Sequence, residues 1–325
     1  MASDRFRVVV LDDYERFCTR VPAYDKVSGL ADVEVIDRKL TTDQELSGAI
    51  GKADAVVLMR ERSLFGEREF NIAPSLRFIA QIGPGMPHLD VAGATRRGIV
   101  VSRTPGDSGI STVELTFALM LALARYLPAV NQGMHAGEWP PIVGTLLSRK
   151  TLGIVGLGRL GKQVARIAQA FGMNVLAAGK TLTDERAQEV GARRVPMATL
   201  LTESDVVSLH CRANAETKGL IGEKALASMK PGALLINTAR GPVISEPAVI
   251  AALERGHLGG VGLDVYDLEP LPADHPFRRL DNAILMSHRG YGVDEILHER
   301  YEYAFTNVIH FINGEPREVV NPEAL

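Results

Sequence analysis

Short apolar runs alternate with longer amphipathic stretches through the first hundred residues. These runs occupy residues 7–11, 33–36, 55–59, 78–81 and 99–101. Their β-branched and aromatic side chains favour strands, and the stretches between them have the length of helices. The pattern predicts βαβ units that form a parallel sheet.

A second alternating series begins at Thr151. Its apolar runs occupy residues 152–155, 174–178, 206–210, 233–237, 261–265 and 284–286. They are nearly continuous in apolar residues, as expected for strands that helices cover on both faces. The two series together predict an α/β protein with two doubly wound domains.

The break between the two series predicts the domain boundaries. A turn-rich segment from Arg103 to Gly106 leads into a long apolar helix that we expect to begin at about Thr112. After Gly290, one more helix is predicted over about 295–313, and its natural place is on the first domain. We therefore expect one domain of residues 103–291 and a discontinuous one of residues 1–102 plus 292–325.

Composition narrows the function classes. Hydrophobic residues make up 46% and charged residues 23% of the 325 residues, with a formal net charge of −3. Such a chain forms a compact globular protein without a broad basic field for nucleic acid or an anionic membrane. We expect a small-molecule partner instead.

The cysteines and the longest apolar stretch predict a cytoplasmic protein that does not cross a membrane. Cys18 and Cys211 are the only cysteines and lie far apart, which suits a reducing compartment. The apolar stretch at 115–127 contains Thr116 and Arg125 and is shorter than the roughly 20 residues that a bilayer span requires. We interpret it as a buried helix.

A glycine-rich turn predicts a dinucleotide site. The run Gly156-Leu157-Gly158-Arg159-Leu160-Gly161 follows the strand at 152–155 and opens a helix with apolar residues at helical spacing. The first glycine permits a tight turn, the second lets a pyrophosphate approach the backbone, and the third lets helix and strand pack closely. The alternative is a tight turn that binds nothing.

The choice between NAD and NADP is open. The strand at 174–178 ends in Gly179-Lys180-Thr181, without the acid that usually holds the ribose 2′-hydroxyl. Lys180, and Arg212 after the next strand, could neutralise a 2′-phosphate and favour NADP. The alternative interpretation is two solvated surface cations.

Three side chains near the predicted carboxyl ends of the strands suit the reduction of a 2-keto acid. Arg240 can clamp a carboxylate and a ketone with its planar guanidinium. His288 can give or take a proton near neutral pH, and Glu269 is the candidate carboxylate that orients it. We find no sequence support for a metal site.

Two long runs, residues 230–242 and 262–272, carry a family resemblance. They resemble the D-isomer-specific 2-hydroxyacid dehydrogenases, which are NAD(P)-dependent. The resemblance extends to residues 97–99, 104–106, 114–116, 151–161 and 205–222 and to the segment around His288. It implies a Rossmann-type dinucleotide-binding domain and a smaller flavodoxin-like substrate domain, the latter being the discontinuous one.

The resemblance also implies roles for individual residues. Arg240, Glu269 and His288 would form the catalytic triad, and Asp264 would hold the nicotinamide carboxamide. It further implies a homodimer joined through the cofactor domains. The full set of expected cofactor-binding residues is Gly156, Gly158, Arg159, Leu160, Gly161, Lys180, His210, Cys211, Thr217, Thr238, Ala239, Asp264 and Gly290.

The substrate carboxylate would be bound by backbone N–H groups of a loop at 81–88, with Gly83, Gly85 and Met86 as the expected residues beside Arg240 and His288. Two departures from the family pattern stand out, namely prolines in this loop and Ser287-His288-Arg289-Gly290 in place of Pro-His-Ile-Gly. Proline has no N–H. We therefore expect Gly85 and Met86 to supply the N–H donors and Arg289 to compensate for those that the prolines lack.

The sequence thus predicts an oxidoreductase that transfers a hydride between a nicotinamide cofactor and a D-2-hydroxy acid or 2-keto acid, similar to a glyoxylate or hydroxypyruvate reductase. The alternative is a corepressor-like interaction protein that senses a dinucleotide with the same fold. Trp139, the only tryptophan, is interpreted as a packing anchor of its loop or as a residue of a subunit arm.

Overall fold

The computed structural model describes residues 5–106 and 109–325. Its contacts divide the chain into two units, Met1–Ser108 with Val293–Leu325 and Gly109–Gly292. The strands are β1 Phe6–Leu11, β2 Ala31–Val35, β3 Ala55–Met59, β4 Phe78–Ile82, β5 Val100–Arg103, β6 Thr151–Val155, β7 Asn174–Ala178, β8 Arg193–Arg194, β9 Val206–Leu209, β10 Ala233–Asn237, β11 Leu258–Leu263 and β12 Ala283–Leu285. The α-helices are α1 Pro22–Leu30, α2 Asp43–Ile50, α3 Glu67–Ile72, α4 Val91–Arg96, α5 Ile110–Ala124, α6 Leu127–His135, α7 Arg159–Ala170, α8 Asp184–Gln188, α9 Met197–Glu203, α10 Glu223–Ser228, α11 Glu246–Glu254 and α12 Asp294–Ile312.

The first unit is a doubly wound sheet. Its described strands have the order β2-β1-β3-β4-β5, and all of them pair in parallel. This is the flavodoxin-like order, in which the chain winds first to one side of β1 and then to the other. The last helix, α12, packs on this sheet, where Phe311 stacks on Phe78 with ring centroids 4.4 Å apart.

The second unit has the Rossmann order. Its described strands run β12-β11-β10-β9-β6-β7-β8, again all in parallel. The winding reverses between β6 and β9, and ligands of such sheets bind outside the carboxyl ends of the strands at that point. The predicted fold class, two doubly wound α/β domains of Rossmann and flavodoxin type, is confirmed.

Strand β11 begins three residues earlier than the apolar pattern predicts. The apolar pattern missed Leu258, Gly259 and Gly260, and α5 lies directly against two glycines of this strand. A Cβ at Gly262 would lie 2.9 Å from the Cβ of Leu119, and one at Gly260 would lie 2.8 Å from Leu123. The short strand β8 had no apolar signal, since both of its residues are exposed arginines.

The long apolar stretch forms the buried helix α5, and a second helix, α6, follows after a bend. The bend falls at Tyr126, whose φ of 51° is left-handed, and α6 begins with Leu127 and Pro128. Most of α5 is buried in the core of its unit. Among the described residues no single helix has the length and apolarity to cross a bilayer, and α5 and α6 satisfy that test only as a pair bent by 65°.

Candidate active site

The three glycines of the motif between β6 and α7 have different steric surroundings. Gly156 has a φ of 95°, and a Cβ there would lie 2.9 Å from the backbone of His210 and Cys211. A Cβ on Gly161 would lie 2.3 Å from the carbonyl oxygen of Gly156. Larger residues at either position would push β6, α7 and β9 apart.

Gly158 faces open space. Of the described atoms, none lies within 4 Å of where its Cβ would be, and no side chain caps the start of α7 there. The first amides of a helix and its positive dipole end attract anions. The turn therefore has the shape and the donors that could hold a dinucleotide pyrophosphate, with Arg159 and Leu160 in the first turn of the helix.

His210 directly follows β9, lies beside this turn and is neutral at physiological pH. Desolvation lowers the pKa of His210 to about 4. Its Nε2 lies 2.9 Å from Ser208 Oγ, and its buried Nδ1 has no hydrogen-bond partner among the described atoms. Burial also raises the pKa of the neighbouring Cys211 thiol, which disfavours a reactive thiolate.

The remaining predicted cofactor residues at β7 and in the loop after β9 are engaged with their neighbours. Lys180 forms an ion pair with Glu216, and both side chains are exposed. The Thr217 hydroxyl donates to the carbonyl oxygen of Arg212 at 2.6 Å, which orders that loop. Arg212 thus helps to order the loop through its backbone carbonyl.

The turn after β10 is held by hydrogen bonds. The amide of Ala239 donates to Asn237 Oδ1 at 3.0 Å. Thr238 is buried, and its hydroxyl lies 2.9 Å from that of Thr116 on α5. These contacts position the backbone from which Arg240 projects.

Asp264, at the end of β11, holds the loop that carries the candidate acid. Its carboxylate accepts from the amides of Arg289 at 2.5 Å and Gly290 at 2.8 Å. Burial raises the pKa of Asp264, although these two amides act in the opposite direction. The carbonyl of Gly290 in turn accepts from the Thr112 hydroxyl at 3.0 Å. The predicted role of Asp264 toward the nicotinamide carboxamide stays a prediction.

His288 and Glu269 form a hydrogen-bonded pair. His288 Nδ1 lies 2.7 Å from Glu269 Oε2, and the side chains are 26% and 35% exposed. His288 has a left-handed φ of 56°. The hydrogen bonds from the next two amides to Asp264 help to maintain this conformation. The pair is therefore ordered yet open to solvent on one side.

The charge state of Glu269 follows from its surroundings. Burial acts to raise its pKa, but the hydrogen bond and charge of His288, the Tyr266 amide and the charge of Arg240 outweigh this and lower the pKa below its usual value. Glu269 is accordingly ionised at neutral pH. The Arg240 guanidinium, which contributes to this effect through its charge, donates to the carbonyl oxygen of Ala239 at 2.7 Å.

Gly241 is a structural residue of the site that the sequence reasoning missed. A Cβ there would lie 2.0 Å from the carbonyl carbon of Tyr266. The segment that carries Arg240 therefore packs directly on the turn that carries Glu269. A glycine next to a candidate cation at a strand end is the signal that could have revealed this contact.

Comparisons with known proteins identify the family of this chain. The family model described as D-isomer specific 2-hydroxyacid dehydrogenase, NAD binding domain, matches residues 117–290. The chain belongs to the D-isomer specific 2-hydroxyacid dehydrogenase family. The family resemblance that the sequence carries is confirmed.

A curated relative matches most of the chain, and solved structures match nearly all of it. A glyoxylate reductase of Thermococcus litoralis is 41% identical over 263 residues, which is 78% of this chain and 79% of that protein. The structure of a phosphoglycerate oxidoreductase from Vibrio cholerae has a TM-score of 0.89 and 31% identity and covers 95% of this chain and 99% of its own. A D-lactate dehydrogenase from Aquifex aeolicus, complexed with NAD and lactic acid, has a TM-score of 0.78 and 28% identity and covers 97% and 99%.

These findings support the predicted activity class. The protein is an NAD(P)-dependent 2-hydroxyacid dehydrogenase that acts on CH–OH groups. They do not support the corepressor alternative. Within the described residues, no group of three or more His, Cys, Asp or Glu side chains could hold a metal ion.

The predicted carboxylate-binding loop of this dehydrogenase lies in the first unit, after β4. The amide of Gly83 donates to the Thr104 hydroxyl at 2.8 Å, and Gly83 has a φ of 104°. The amides of Gly85 and Met86 have no acceptor among the described residues. The backbone amide of His88 also has no acceptor among the described residues, so the loop leaves these three donors for a ligand.

Arg289 departs from the family pattern beside the candidate acid. Its guanidinium folds over Gly292, where a Cβ would lie 2.8 Å from Arg289 Cζ. The amide of Gly292 also donates to the carbonyl of Arg289 at 2.8 Å. Gly292 thus lets the arginine lie flat over the turn that follows His288.

Proposed function

We propose that this dehydrogenase reduces glyoxylate to glycolate, or a similarly small 2-keto acid to the D-2-hydroxy acid, with His288 as the proton donor. The 2.7 Å contact between His288 Nδ1 and Glu269 Oε2 carries the proposal. It lies at the carboxyl edge of the Rossmann sheet, where the bound cofactor belongs. The name of the Thermococcus litoralis relative supports the substrate class.

The histidine would transfer its proton from Nε2. Because Nδ1 is engaged by the ionised Glu269, Nε2 is the nitrogen that can reach a substrate. When bound, the reduced nicotinamide supplies the hydride that the substrate C2 accepts. The carbonyl oxygen then gains negative charge, and His288 Nε2 would donate a proton to it while Glu269 stabilises the ring orientation.

Arg240 would hold the substrate, with Gly83, Gly85 and Met86 as the loop residues proposed for its carboxylate. A guanidinium keeps its charge at working pH and matches a carboxylate with two N–H groups. The unused amides of Gly85 and Met86 support their role as donors. The Arg289 guanidinium would compensate for the prolines of the loop.

The choice of keto acid is tested by following reduced-cofactor absorbance at 340 nm with glyoxylate, hydroxypyruvate and a bulkier 2-keto acid. We expect oxidation with glyoxylate at a higher kcat/KM than with the bulky acid, using NADH or NADPH. Oxidation of the cofactor with the bulky acid alone would contradict the substrate class, and no cofactor oxidation with any acid would overturn the activity.

The role of His288 is tested with His288→Gln. We expect kcat to fall by about 10²- to 10⁴-fold, the usual contribution of a general acid, while the Kd of reduced cofactor, read by fluorescence, stays within about twofold. His298→Gln, which removes an exposed histidine from α12, is the matched control. Near-normal turnover in His288→Gln would refute the assignment.

We further propose that the discontinuous unit is the substrate domain and that the other binds the dinucleotide. The family match at residues 117–290, which falls within the second unit, supports this division. We also propose a cytoplasmic homodimer that binds neither nucleic acid nor membranes. Both cysteines are free thiols and the net charge is −3, which support the compartment and the small-molecule partner.

A further inference from the structure

Glu246 is a buried carboxylate next to the candidate active site that the proposed mechanism does not use. It is the first residue of α11, five residues after Gly241, and is only 7% exposed. A buried carboxylate is costly unless hydrogen bonds satisfy its oxygens. The partners of Glu246 therefore indicate what its burial achieves.

Each oxygen of Glu246 has one partner from the segment after β11. Oε1 accepts from the backbone amide of Asp267 at 2.9 Å. Oε2 lies 3.2 Å from Nε2 of His275, and both side chains are largely buried. One carboxylate thus ties the start of α11 to two points of the loop that carries Glu269.

The hydrogen bonds of His275 define its tautomer. The amide of Phe277 donates to His275 Nδ1 at 3.3 Å, so Nδ1 accepts and carries no proton. The ring proton is then on Nε2, which donates to Glu246. His275 therefore donates through Nε2, and its position depends on the short helical turn at Pro276–Arg279.

The Asp267 amide belongs to the turn that sets the position of Glu269. In the preceding residue, the Tyr266 amide donates to Glu269 Oε1 at 3.0 Å. Two consecutive amides are therefore held by two carboxylates, one of which contacts His288. Gly241 packs against the same peptide, which leaves the turn no room to move toward Arg240.

We propose that Glu246 and His275 form a positioning pair that holds the 266–269 turn so that Glu269 orients His288. The pair contacts neither reacting atom and acts through the Asp267 amide. This inference rests on the proposed function, because it assigns the pair to the dyad proposed there. It predicts that loss of Glu246 impairs proton donation more than substrate or cofactor binding.

The first experiment compares Glu246→Ala and Glu246→Gln in the full-length enzyme. Alanine removes both contacts, whereas glutamine keeps an oxygen for Asp267 and loses the acceptor for His275. We expect kcat to fall by about 10- to 100-fold in Glu246→Ala, as for a misplaced catalytic group, and less in Glu246→Gln. KM and the Kd of reduced cofactor should stay within about twofold. Glu254→Gln, at the exposed end of α11, is the control.

A double-mutant cycle separates positioning from a general structural role. If Glu246 acts through Glu269, adding Glu246→Gln to Glu269→Gln should lower kcat almost no further. Both single variants should also shift the pH profile of kcat in the same direction. If Glu246→Gln lowers kcat by the same factor in the wild type and in Glu269→Gln, or leaves the pH profile unshifted, the positioning role is overturned.

The same experiment distinguishes this proposal from the proposed function. If His288→Gln and Glu269→Gln retain normal turnover, the dyad assignment itself fails. If both lose turnover and Glu246→Gln keeps wild-type kcat and pH profile, only the positioning pair is refuted. His275→Gln, which retains an N–H donor, should preserve more activity than His275→Phe; the reverse order would also refute the pair.

Discussion

At the scale of single residues, the site is built from side chains whose partners lie far away in sequence. The types of Arg240, Glu269 and His288 could be selected from their positions near strand ends and from the chemistry of keto-acid reduction. Their contacts could not be predicted, because the hydrogen bond between His288 and Glu269 joins residues 19 positions apart and depends on where two loops meet. Asp264 illustrates the difference: the family resemblance implies a contact with the nicotinamide carboxamide, which stays a prediction, and only the structure shows its carboxylate accepting from two backbone amides.

The Lys180–Glu216 ion pair leads to a prediction about cofactor choice. A 2′-phosphate would compete with Glu216 for Lys180 and would be repelled by that carboxylate. We expect Glu216→Gln to raise the ratio of kcat/KM for NADPH to that for NADH several-fold, and Lys180→Ala to lower it. Steady-state kinetics with both cofactors check this, with Glu223→Gln as a surface control. An unchanged ratio in both variants would contradict the predicted role of Lys180.

His210 predicts how stability depends on pH. Its pKa falls from the usual 6.5 to about 4 in the folded protein, so the unfolded chain binds the proton more readily between these values. The neutral ring therefore stabilises the fold fully above pH 6.5, and this contribution, about 3 kcal/mol at most, is lost as pH falls toward 4.

We expect His210→Gln to lose less free energy of unfolding than wild type between pH 7 and pH 4 in urea titrations. His135→Gln, an exposed histidine on α6, serves as the control. Parallel pH dependence in His210→Gln and wild type would show that this histidine is not the linked group.

At the scale of elements, periodicity located most of the strands because they are buried on both faces and therefore continuously apolar. Strands β3, β7 and β10 begin and end where the apolar runs predict. The pattern placed the start of β11 three residues too late, where glycines serve helix packing, and it did not show the break at Tyr126 between α5 and α6. In both places a tertiary contact or a local backbone conformation overrides the local signal.

Close packing of α5 on β11 predicts the effect of a single methyl group. Gly262→Ala would place a Cβ 2.9 Å from Leu119 Cβ, so the helix or strand must shift. We expect a loss of roughly 1–3 kcal/mol in free energy of unfolding. Gly48→Ala, in exposed α2 with nothing within 4 Å, should instead stabilise the protein by about 0.5–1 kcal/mol. Urea unfolding of both variants measures the difference, and equal effects would disprove the packing argument.

At the scale of the whole molecule, the proposed homodimer has a candidate surface in α6 and the loop after it, residues 126–146. Large apolar side chains are exposed there at Tyr126, Leu127, Met134, Trp139, Ile142, Val143 and Leu146. Trp139 is 86% and Val143 88% exposed, which does not suit a packing anchor within its own chain. Concentrated exposed apolar side chains are typical of subunit interfaces.

We expect the double substitution Trp139→Glu with Val143→Glu to convert the dimer into a monomer, because two buried charges would lack partners. Sedimentation velocity at micromolar concentration checks this. Leu64→Glu, at a residue that is 77% exposed outside this segment, should remain dimeric. A wild-type monomer would overturn the proposed assembly, and a dimeric double variant would exclude this surface as the interface.

The chain by itself determined the positions of most strands, the glycine turn before α7 and the residue types suited to hydride transfer, because these depend on neighbouring residues and on local periodicity. Only the tertiary structure decided which loops meet. The clamp of Asp264 on Arg289 and Gly290, the bond from His288 to Glu269 and the contacts of Glu246 with Asp267 and His275 all join residues 19 to 29 positions apart. Such contacts follow from strand order and loop packing, which local propensity does not encode.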